Sequence, residues 1–374
     1  MAGSERDERS GREGKRIAVG LIGTGAWGNL HAAACINNPH TVIAGLVEVR
    51  EGVAESFSQR LGIEVPIFSD YRELLAMDGL DAVIIATPND LHRPISLAAI
   101  EAGKHVLCEK PMATSIADAK AMVAAAEKSA VKTMLGYTKR FFRGGRFFYD
   151  LIRREDLGRV YHVRGFYFQS WLSNPNTPIV WRLEKERTGT GCLGDLGSHL
   201  TDYVQFVMGD TITRVNAMWR TFVTDRSTIA DPGKKQTVDV DDAVMYGAEF
   251  KNGAMGVFES SRNATGHRDH WRLEIDAEKG SAVYDNDGPC VLLSRRESPN
   301  RDGDWTEIPI PDEYGAAGSD TYPVAIQSAW DHFVDCIRSG AMPAPSFADG
   351  LKTERVLDAV ACSSITGTAV DVQE

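Results

Sequence analysis

The first third of the chain alternates apolar runs of strand length with segments of helical periodicity. The predicted strands, rich in Val, Ile, Leu and Ala, cover residues 16–23, 41–47, 80–86, 104–108 and 132–136. The predicted helices follow the first strand and then cover residues 71–77, 94–102 and 115–129. Strands that alternate with helices predict an α/β Rossmann domain over residues 16–136, with a doubly wound parallel sheet.

Beyond residue 136 the hydrophobic period changes. The predicted strands cover residues 158–169, 212–223, 238–250, 253–260, 271–277 and 281–284. The predicted helices cover residues 145–154, the segment around 195–202, 322–339 and 349–366. Strands that follow one another across short turns predict an α+β domain over residues 137–374, with a large, mainly antiparallel open sheet. We expect the C-terminal helices to pack back on the first domain and residues 1–15 to form a disordered tail.

A glycine-rich turn joins the first strand to the first helix. The turn reads Gly23-Thr24-Gly25-Ala26-Trp27-Gly28. A G-x-G-x-x-G sequence between a buried strand and a helix is typical of dinucleotide binding. The first glycine permits a tight turn, the second lets a pyrophosphate approach, and the third allows close helix packing. The helix N-terminus would face the phosphates with its partial positive charge.

The second strand ends at an acidic residue, Glu48, about 20 residues after the glycine turn. A carboxylate at this position binds the adenosine ribose hydroxyls and repels a 2′-phosphate. The sequence therefore favours NAD over NADP. Arg50, two residues further on, is the feature that would favour NADP instead.

Two polar loops follow the next predicted strands. The first contains Thr87, Pro88, Asn89 and His92, and the second contains Glu109, Lys110 and Pro111. Because ligands of doubly wound sheets bind at the carboxyl ends of the strands, we expect both loops to face the ligand. We assign Lys110 a ligand-facing role, since Pro111 would stiffen its loop.

A second candidate centre lies in the segment 191–202. If this segment is helical, Asp195 and His199 leave on one face, and Leu193, Leu196, Leu200 and Val207 bury the opposite face. A histidine beside a carboxylate is a natural proton acceptor at neutral pH. The preceding glycines would let the backbone approach a ligand. The alternative is a capped core helix with a buried, hydrogen-bonded histidine.

Composition narrows the class of protein. The formal net charge of −11 argues against a nucleic-acid partner, because phosphate binding needs a basic surface. No apolar run approaches the roughly 20 residues that span a bilayer, and residues 1–15 do not read as a secretory signal. The six cysteines are scattered without a C-x-x-C pair, which favours reduced thiols in a cytoplasmic protein. We therefore expect no metal, no nucleic acid and no membrane partner.

These motifs together resemble the glucose-fructose oxidoreductase and inositol dehydrogenase (Gfo/Idh/MocA) family. The matching motifs are Gly23-x-Gly25-x-x-Gly28, Ala86-Thr87-Pro88-Asn89 with His92, Glu109-Lys110-Pro111, Asp195-x-x-x-His199 and Phe347-x-Asp349-Gly350-Leu351. The resemblance extends over nearly the whole chain, although the family often has Asp where this chain has Glu48. It implies a nicotinamide-dependent sugar or polyol dehydrogenase whose catalytic set is Lys110, Asp195 and His199. It also implies a homodimer or homotetramer formed through the open sheet of the second domain.

The resemblance and the loop positions define the candidate sites. The cofactor-binding residues are Gly23, Thr24, Gly25, Ala26, Trp27, Gly28, Glu48, Arg50, Thr87, Pro88, Asn89, His92, Glu109 and Lys110. The substrate-binding residues are Lys110, Arg140, Trp171, Trp181, Arg182, Asp195 and His199. Trp171 and Trp181 lie in a loop too polar for a core and could stack on a sugar, whereas Tyr167 and Phe168 are assigned to the core.

The leading hypothesis is hydride transfer between a secondary hydroxyl of a sugar, glycoside or polyol and NAD. One alternative keeps the fold and the cofactor but uses a transient oxidation for net elimination or glycoside cleavage. Another is a regulator that binds NAD without catalysis. The presence of both Lys110 and His199 favours an enzyme.

Overall fold

The structure is a computed structural model that describes residues 16–298 and 301–373. The tail predicted at residues 1–15 lies outside the described residues. Within the described ranges, no helix is both long enough and apolar enough to cross a bilayer.

Six parallel strands form the first sheet. They are Ile17–Ile22 (β1), Thr41–Val47 (β2), Ile67–Phe68 (β3), Ala82–Ile85 (β4), His105–Cys108 (β5) and Thr133–Leu135 (β6). Its helices are Ala26–Asn37 (α1), Val53–Leu61 (α2), Tyr71–Leu75 (α3), His92–Glu101 (α4) and Ile116–Glu127 (α5). The strand order β3-β2-β1-β4-β5-β6 confirms the predicted Rossmann fold. The order reverses between β1 and β4, and this is where ligands of such sheets bind.

The second half of the chain forms a mixed sheet that is mostly antiparallel. Its strands are Val160–Phe168 (β7), Ile212–Arg220 (β8), Asp225–Ser227 (β9), Lys235–Thr237 (β10), Ala243–Phe250 (β11), Met255–Ser261 (β12), His270–Ala277 (β13), Gly280–Asp285 (β14), Cys290–Ser298 (β15), Arg301–Asp302 (β16), Thr306–Pro309 (β17) and Val370–Asp371 (β18). Strands β9 and β10 form a separate hairpin, and the others form one sheet in the order β16-β15-β14-β13-β7-β12-β11-β8-β18, with β17 paired to β15. Among the strand pairs of this sheet in the described residues, β7 and β12 run parallel and the others run antiparallel. The predicted open, mainly antiparallel sheet is confirmed.

One face of this sheet is covered by helices and the other is open. The helices of the second half are Arg143–Arg154 (α6), Lys185–Thr188 (α7), Ser198–Met208 (α8), Tyr322–Ser339 (α9) and Phe347–Thr366 (α10). Helices α6, α8 and α10 pack on the sheet. Along β11 and β12 the residues alternate between buried and exposed positions. The open face exposes apolar side chains, namely Met218, Met245, Met255 and Val257.

The last two long helices join the halves of the molecule. Helix α9 packs on α1 and α10 packs on α5. The indole of Trp330 on α9 is fully buried and donates to Thr41 Oγ1 at 3.4 Å. At the edge strand β6, Leu135 N donates to the carbonyl oxygen of Pro345 at 3.0 Å, just before α10. Both C-terminal helices therefore contact helices of the parallel-sheet half.

Candidate active site

A cavity of about 860 Å³ opens at the carboxyl ends of the parallel strands. Its walls come from the glycine turn after β1, the loops after β4 and β5, the segment before α8 and the loop between β7 and α7. The volume lies in the upper part of the ~300–1,000 Å³ range of small-molecule and cofactor pockets. Because both halves of the chain line it, a ligand held there contacts both.

The glycine turn has the geometry that its sequence predicts. Gly23 has φ +97°, and a Cβ atom there would lie 2.5 Å from the carbonyl oxygen of Ala86. A Cβ atom on Gly28 would lie 2.1 Å from the carbonyl oxygen of Gly23, so only glycine lets α1 pack this closely. A Cβ atom on Gly25 would meet nothing within 4 Å. The tight turn and the close packing are confirmed, and the side of Gly25 is open for a ligand.

Glu48 is held as a carboxylate on the cavity wall. Its Oε2 accepts Thr24 Oγ1 at 2.7 Å and Arg50 Nη2 at 2.8 Å, and its Oε1 accepts Arg50 Nε at 2.9 Å. Burial alone would raise the pKa of Glu48, but the hydrogen bonds from Arg50 and Thr24 outweigh it and lower the pKa to about 2. The Arg50 guanidinium that could have favoured NADP is therefore engaged by Glu48.

The loops after β4 and β5 meet at the cavity. Thr87, Pro88, Asn89 and Glu109 all line it. The Glu109 carboxylate is buried against His31 Nε2 at 2.6 Å, which ties the second loop to helix α1. The two loops are therefore placed against the glycine turn.

His92 does not reach the cavity, and its assignment to the cofactor is corrected. The ring is buried, with Nδ1 2.8 Å from the carbonyl oxygen of Pro111 and Nε2 3.1 Å from that of Thr87. Burial lowers the pKa of His92, and a neutral imidazole donates to one of these oxygens. His92 therefore positions the two loops that carry Thr87 and Lys110.

Lys110 and Asp195 form a close pair on the cavity wall. Lys110 Nζ donates to Asp195 Oδ1 and to the Asp195 carbonyl oxygen, each at 2.9 Å. Arg262 Nη1 lies 3.8 Å from Asp195 Oδ2. Burial would raise the pKa of Asp195, but the positive charges of Lys110, Arg182 and Arg262 outweigh it and hold the pKa well below its usual range. Asp195 is therefore a fixed negative charge rather than a proton acceptor.

The segment that carries Asp195 is helical but opens as a π-helix, Leu193–Gly197, before α8 begins. The Asp241 carboxylate accepts Gly191 N at 2.6 Å and Leu193 N at 2.8 Å. A Cβ atom on Gly191 would lie 2.1 Å from the carbonyl oxygen of Asp241. Glycine at this position therefore lets the protein's own backbone approach closely, and Gly191 also lines the cavity. π-Turns of this kind occur frequently at functional sites.

His199 lines the cavity from the first turn of α8. Burial and the positive charges of Lys110 and Lys139 lower its pKa well below the ordinary value. Its Nδ1 has no hydrogen-bond partner among the described residues, and its ring contacts the rings of Tyr137 and Tyr167 edge-on. His199 is therefore neutral near pH 7 and can accept a proton.

The loop between β7 and α7 forms the remaining wall. Trp171, Trp181 and Arg182 all line the cavity, and the Arg182 guanidinium lies 4.3 Å over the Trp181 ring. The loop has a small core of its own, formed by Leu172, Ile179, Leu183, Val238 and Val240. The wall is therefore a packed structure, although its sequence is polar.

Arg140 is the second correction. Its guanidinium binds both carboxylate oxygens of Asp202, at 2.8 and 2.6 Å, beside a separate cavity of about 270 Å³. Asp202 lies one helical turn beyond His199, and neither Asp202 nor Arg140 lines the main cavity. We therefore withdraw Arg140 from the substrate site.

Several residues on the cavity wall lie outside the predicted site sets, among them Gln169, Arg262 and Tyr322. The Tyr322 ring packs edge-on against Trp27 of the glycine turn, with centroids 5.1 Å apart. Arg262 follows the end of a predicted strand, which was a usable signal, whereas nothing local marks Tyr322 at the start of α9. In the described ranges, no group of three His, Cys, Asp or Glu side chains is arranged to hold a metal ion.

Comparisons with known proteins bear on both halves of the chain. Residues 17–137 match the model of the Gfo/Idh/MocA oxidoreductase family with an NAD-binding Rossmann fold, and residues 147–283 match a C-terminal domain model of the same family. Levoglucosan dehydrogenase of Pseudarthrobacter phenanthrenivorans is 33% identical, over 96% of this chain and 99% of the relative. Myo-inositol 2-dehydrogenase of Thermotoga maritima is 27% identical, over 89% of this chain and 92% of the relative.

A solved structure with the same overall fold is levoglucosan dehydrogenase in complex with NADH and L-sorbose. It superposes with a TM-score of 0.90 at 31% identity and covers 96% of this chain and 100% of that one. The two family models and the similarity along most of the chain indicate the same family. The glycine turn beside a lysine, an aspartate and a histidine is consistent with it. The chain belongs to the Gfo/Idh/MocA family of NAD-binding oxidoreductases.

Proposed function

We propose that the protein oxidises a secondary hydroxyl of a sugar, glycoside or polyol, with NAD as the hydride acceptor. The observation that carries this proposal is that Lys110, Asp195 and His199 line the same cavity as the glycine turn. Relatives named as levoglucosan and inositol dehydrogenases, and a neighbour solved with NADH and a sugar, support the substrate class.

The nucleotide end of the cavity fits NAD. The open side of Gly25 allows a pyrophosphate to approach, and the N-terminus of α1 offers a partial positive charge. The ionised Glu48 would accept the ribose hydroxyls and repel a 2′-phosphate. When bound, NAD supplies the hydride acceptor of the reaction.

Oxidation of a hydroxyl requires a base, because the hydroxyl proton must leave as the C–H bond breaks. Burial and the nearby lysines lower the pKa of His199, so its imidazole is unprotonated before the reaction and is free to accept that proton. Asp195, four residues earlier, provides a negative charge that raises the pKa of His199 and so supports the proton once it is transferred.

Lys110 is suited to stabilise the reacting oxygen. Two of the three hydrogens on its ammonium are directed to Asp195, and the third is available to the substrate. A positive donor aimed at an oxygen that gains negative charge stabilises the transition state more than the ground state. Asp195 fixes the direction of that donor.

The tryptophan wall is suited to a sugar. Trp171 is 38% exposed and projects from a packed loop, so its ring is available to the C–H face of a sugar. Trp181 and Arg182 complete a wall with both an apolar face and a hydrogen-bond donor. Such walls fix ligand orientation with a few polar groups on a mainly apolar surface.

We further propose that the protein forms a homodimer or homotetramer through the open sheet face in a reducing, cytoplasmic compartment. The exposed Met218, Met245, Met255 and Val257 form an apolar surface of the kind that proteins bury on association. The six cysteines are free thiols, which supports a reducing compartment. The mass in solution, measured by light scattering, tests the assembly.

The decisive assay follows NADH absorbance with inositols, aldoses and glycosides as substrates, using NAD and NADP in parallel. We expect NADH to accumulate with at least one substrate and more slowly with NADP. Turnover of a sugar without net NADH would support transient oxidation with elimination or cleavage. NAD binding without turnover of any sugar or polyol would support a regulator and overturn the proposal.

A further inference from the structure

We propose that Arg262 is a positioning residue of this site, which holds Asp195 in line with Lys110 and fixes the tryptophan wall. The inference rests on the proposed function and adds a residue outside the set of Lys110, Asp195 and His199. Arg262 directly follows β12, and although it is almost fully buried it lines the cavity. A buried guanidinium is costly to desolvate unless its donors are used, so its contacts indicate its role.

The guanidinium joins three parts of the site. Nη2 donates to the carbonyl oxygen of Asp241 at 2.9 Å, and Nη1 donates to the carbonyl oxygen of Arg182 at 3.2 Å. Nη1 also lies 3.8 Å from Asp195 Oδ2, and the guanidinium carbon lies 5.7 Å from the centre of the Trp171 ring. A planar fork can make these contacts at once, whereas a single ammonium cannot.

The sheet determines the position of the Arg262 guanidinium. Arg262 N donates to the carbonyl oxygen of Asp242 at 3.0 Å, at the end of the β11–β12 ladder. The side chain of Asp241, the residue before Asp242, accepts hydrogen bonds from the backbone of Gly191 and Leu193 at the start of the π-helix. Asp241 and Arg262 thus lie at the same end of the neighbouring strands β11 and β12. This end of the sheet holds both the backbone before Asp195 and the Arg262 side chain.

Asp195 is held from both sides by charge. Lys110 binds Oδ1 and Arg262 approaches Oδ2, and the positive charge of Arg182 also lowers the pKa of this carboxylate. His199 lies four residues after Asp195. The positive charge of Lys139 lowers the pKa of His199, and the negative charge of Asp195 raises it. With a cation on each oxygen, the carboxylate cannot rotate without losing one of them. Without Arg262 the carboxylate is free to turn, and its negative charge at His199 is less compensated.

A matched arginine separates this role from a purely structural one. Arg226 on β9 is also buried and donates to the carbonyl oxygens of Leu172, Asn174 and Thr177, at 2.7, 2.9 and 3.1 Å. It therefore holds the same loop through three backbone contacts but is not paired with Asp195. Loss of Arg226 should disturb the substrate wall alone.

The kinetic test compares R262M, R262K and R226M, with folding checked by thermal melting and NADH titration. For R262M we expect kcat to fall by about 10- to 100-fold and the acidic limb of the kcat/KM profile to move to higher pH by about half a unit or more. R262K keeps the charge and should keep the limb while KM rises. R226M should raise KM and leave the limb in place. If the acidic limb of the kcat/KM profile does not move in R262M and only KM rises, Arg262 is merely structural and the inference is overturned.

Crystal structures of R262M and R226M test the inference without activity, so a failure of the proposed oxidation is distinguished from a failure of this role. In R262M we expect the Asp195 carboxylate to turn away from its 2.9 Å contact with Lys110. In R226M the loop at Leu172 should shift while that contact is kept. An R262M structure with Asp195, Lys110 and Trp171 unmoved would overturn the inference, whichever substrates the enzyme accepts.

Discussion

Replacing Lys110 with methionine removes the ammonium and keeps most of the apolar stem. The structure uses this ammonium for two bonds to Asp195, and the proposed mechanism uses it for a third to the reacting oxygen. Loss of one charged donor at a developing oxyanion costs about 10²–10³ in kcat, and disturbed proton transfer adds to it. We therefore expect kcat to fall by about 10³, which corresponds to about 4 kcal/mol in the activation barrier.

The same change should cost little stability. Removing one partner of a fully buried pair costs about 3–5 kcal/mol. Asp195 keeps Arg262 at 3.8 Å and its side chain is 19% exposed, so we expect a smaller loss of about 1–2 kcal/mol in the free energy of unfolding.

The assay is NADH formation at saturating substrate, with NADH affinity measured by fluorescence titration and expected to stay within a few-fold of the wild type. Lys104→Met is the matched control, since Lys104 precedes the same strand, β5, and donates to the Leu80 carbonyl oxygen away from the cavity. Adding Asp195→Asn to Lys110→Met should cost little more than either change alone, because the pair acts as a unit. A Lys110→Met enzyme that keeps more than about a tenth of the wild-type kcat would refute the role given to Lys110.

Three further predictions concern the base, the nucleotide and a withdrawn residue. His199→Asn should lower kcat/KM by about 10²–10⁴ and abolish the acidic limb of its pH profile; a limb that persists would show that another group is the base. Glu48→Ser removes the carboxylate and frees Arg50, so the ratio of kcat/KM for NADP to that for NAD should rise about tenfold or more; an unchanged ratio would contradict the role of Glu48. Arg140→Met should lower the unfolding midpoint, because it leaves Asp202 buried without its partner, yet leave KM for sugar and for NAD unchanged; a raised KM for either would return Arg140 to the site.

Much of the fold could be predicted because local pattern and tertiary structure agree. The helix predicted at 322–339 is Tyr322–Ser339 in the structure, with a Gly after its last residue. The helix predicted at 115–129 begins at Ser115, whose side chain caps it by accepting Asp118 N. Helix Val53–Leu61 was missed although Gly52 and Gly62 mark both of its ends in left-handed conformations. The helix has only nine residues, so the helical spacing of Val53, Phe57 and Leu61 extends over about two turns.

The site residues that could be predicted from the sequence lie at the ends of strands and helices. Lys110, Asp195 and Glu48 lie on the cavity wall because their loops follow parallel strands or begin a helix. The roles of three other residues depend on partners that are distant in the sequence. Arg262 binds Asp241, 21 residues away, and Arg140 binds Asp202, 62 residues away. His92 binds Pro111, 19 residues away. Spacing along the chain cannot distinguish a side chain that faces a cavity from one that faces a buried carboxylate or carbonyl.

A crystal structure of the protein with NADH and a sugar that it oxidises tests the central claim most directly. The account predicts that the reacting oxygen lies about 2.6–3.2 Å from both Lys110 Nζ and a ring nitrogen of His199, with its carbon facing the nicotinamide. A sugar bound beyond hydrogen-bond reach of both groups would contradict it.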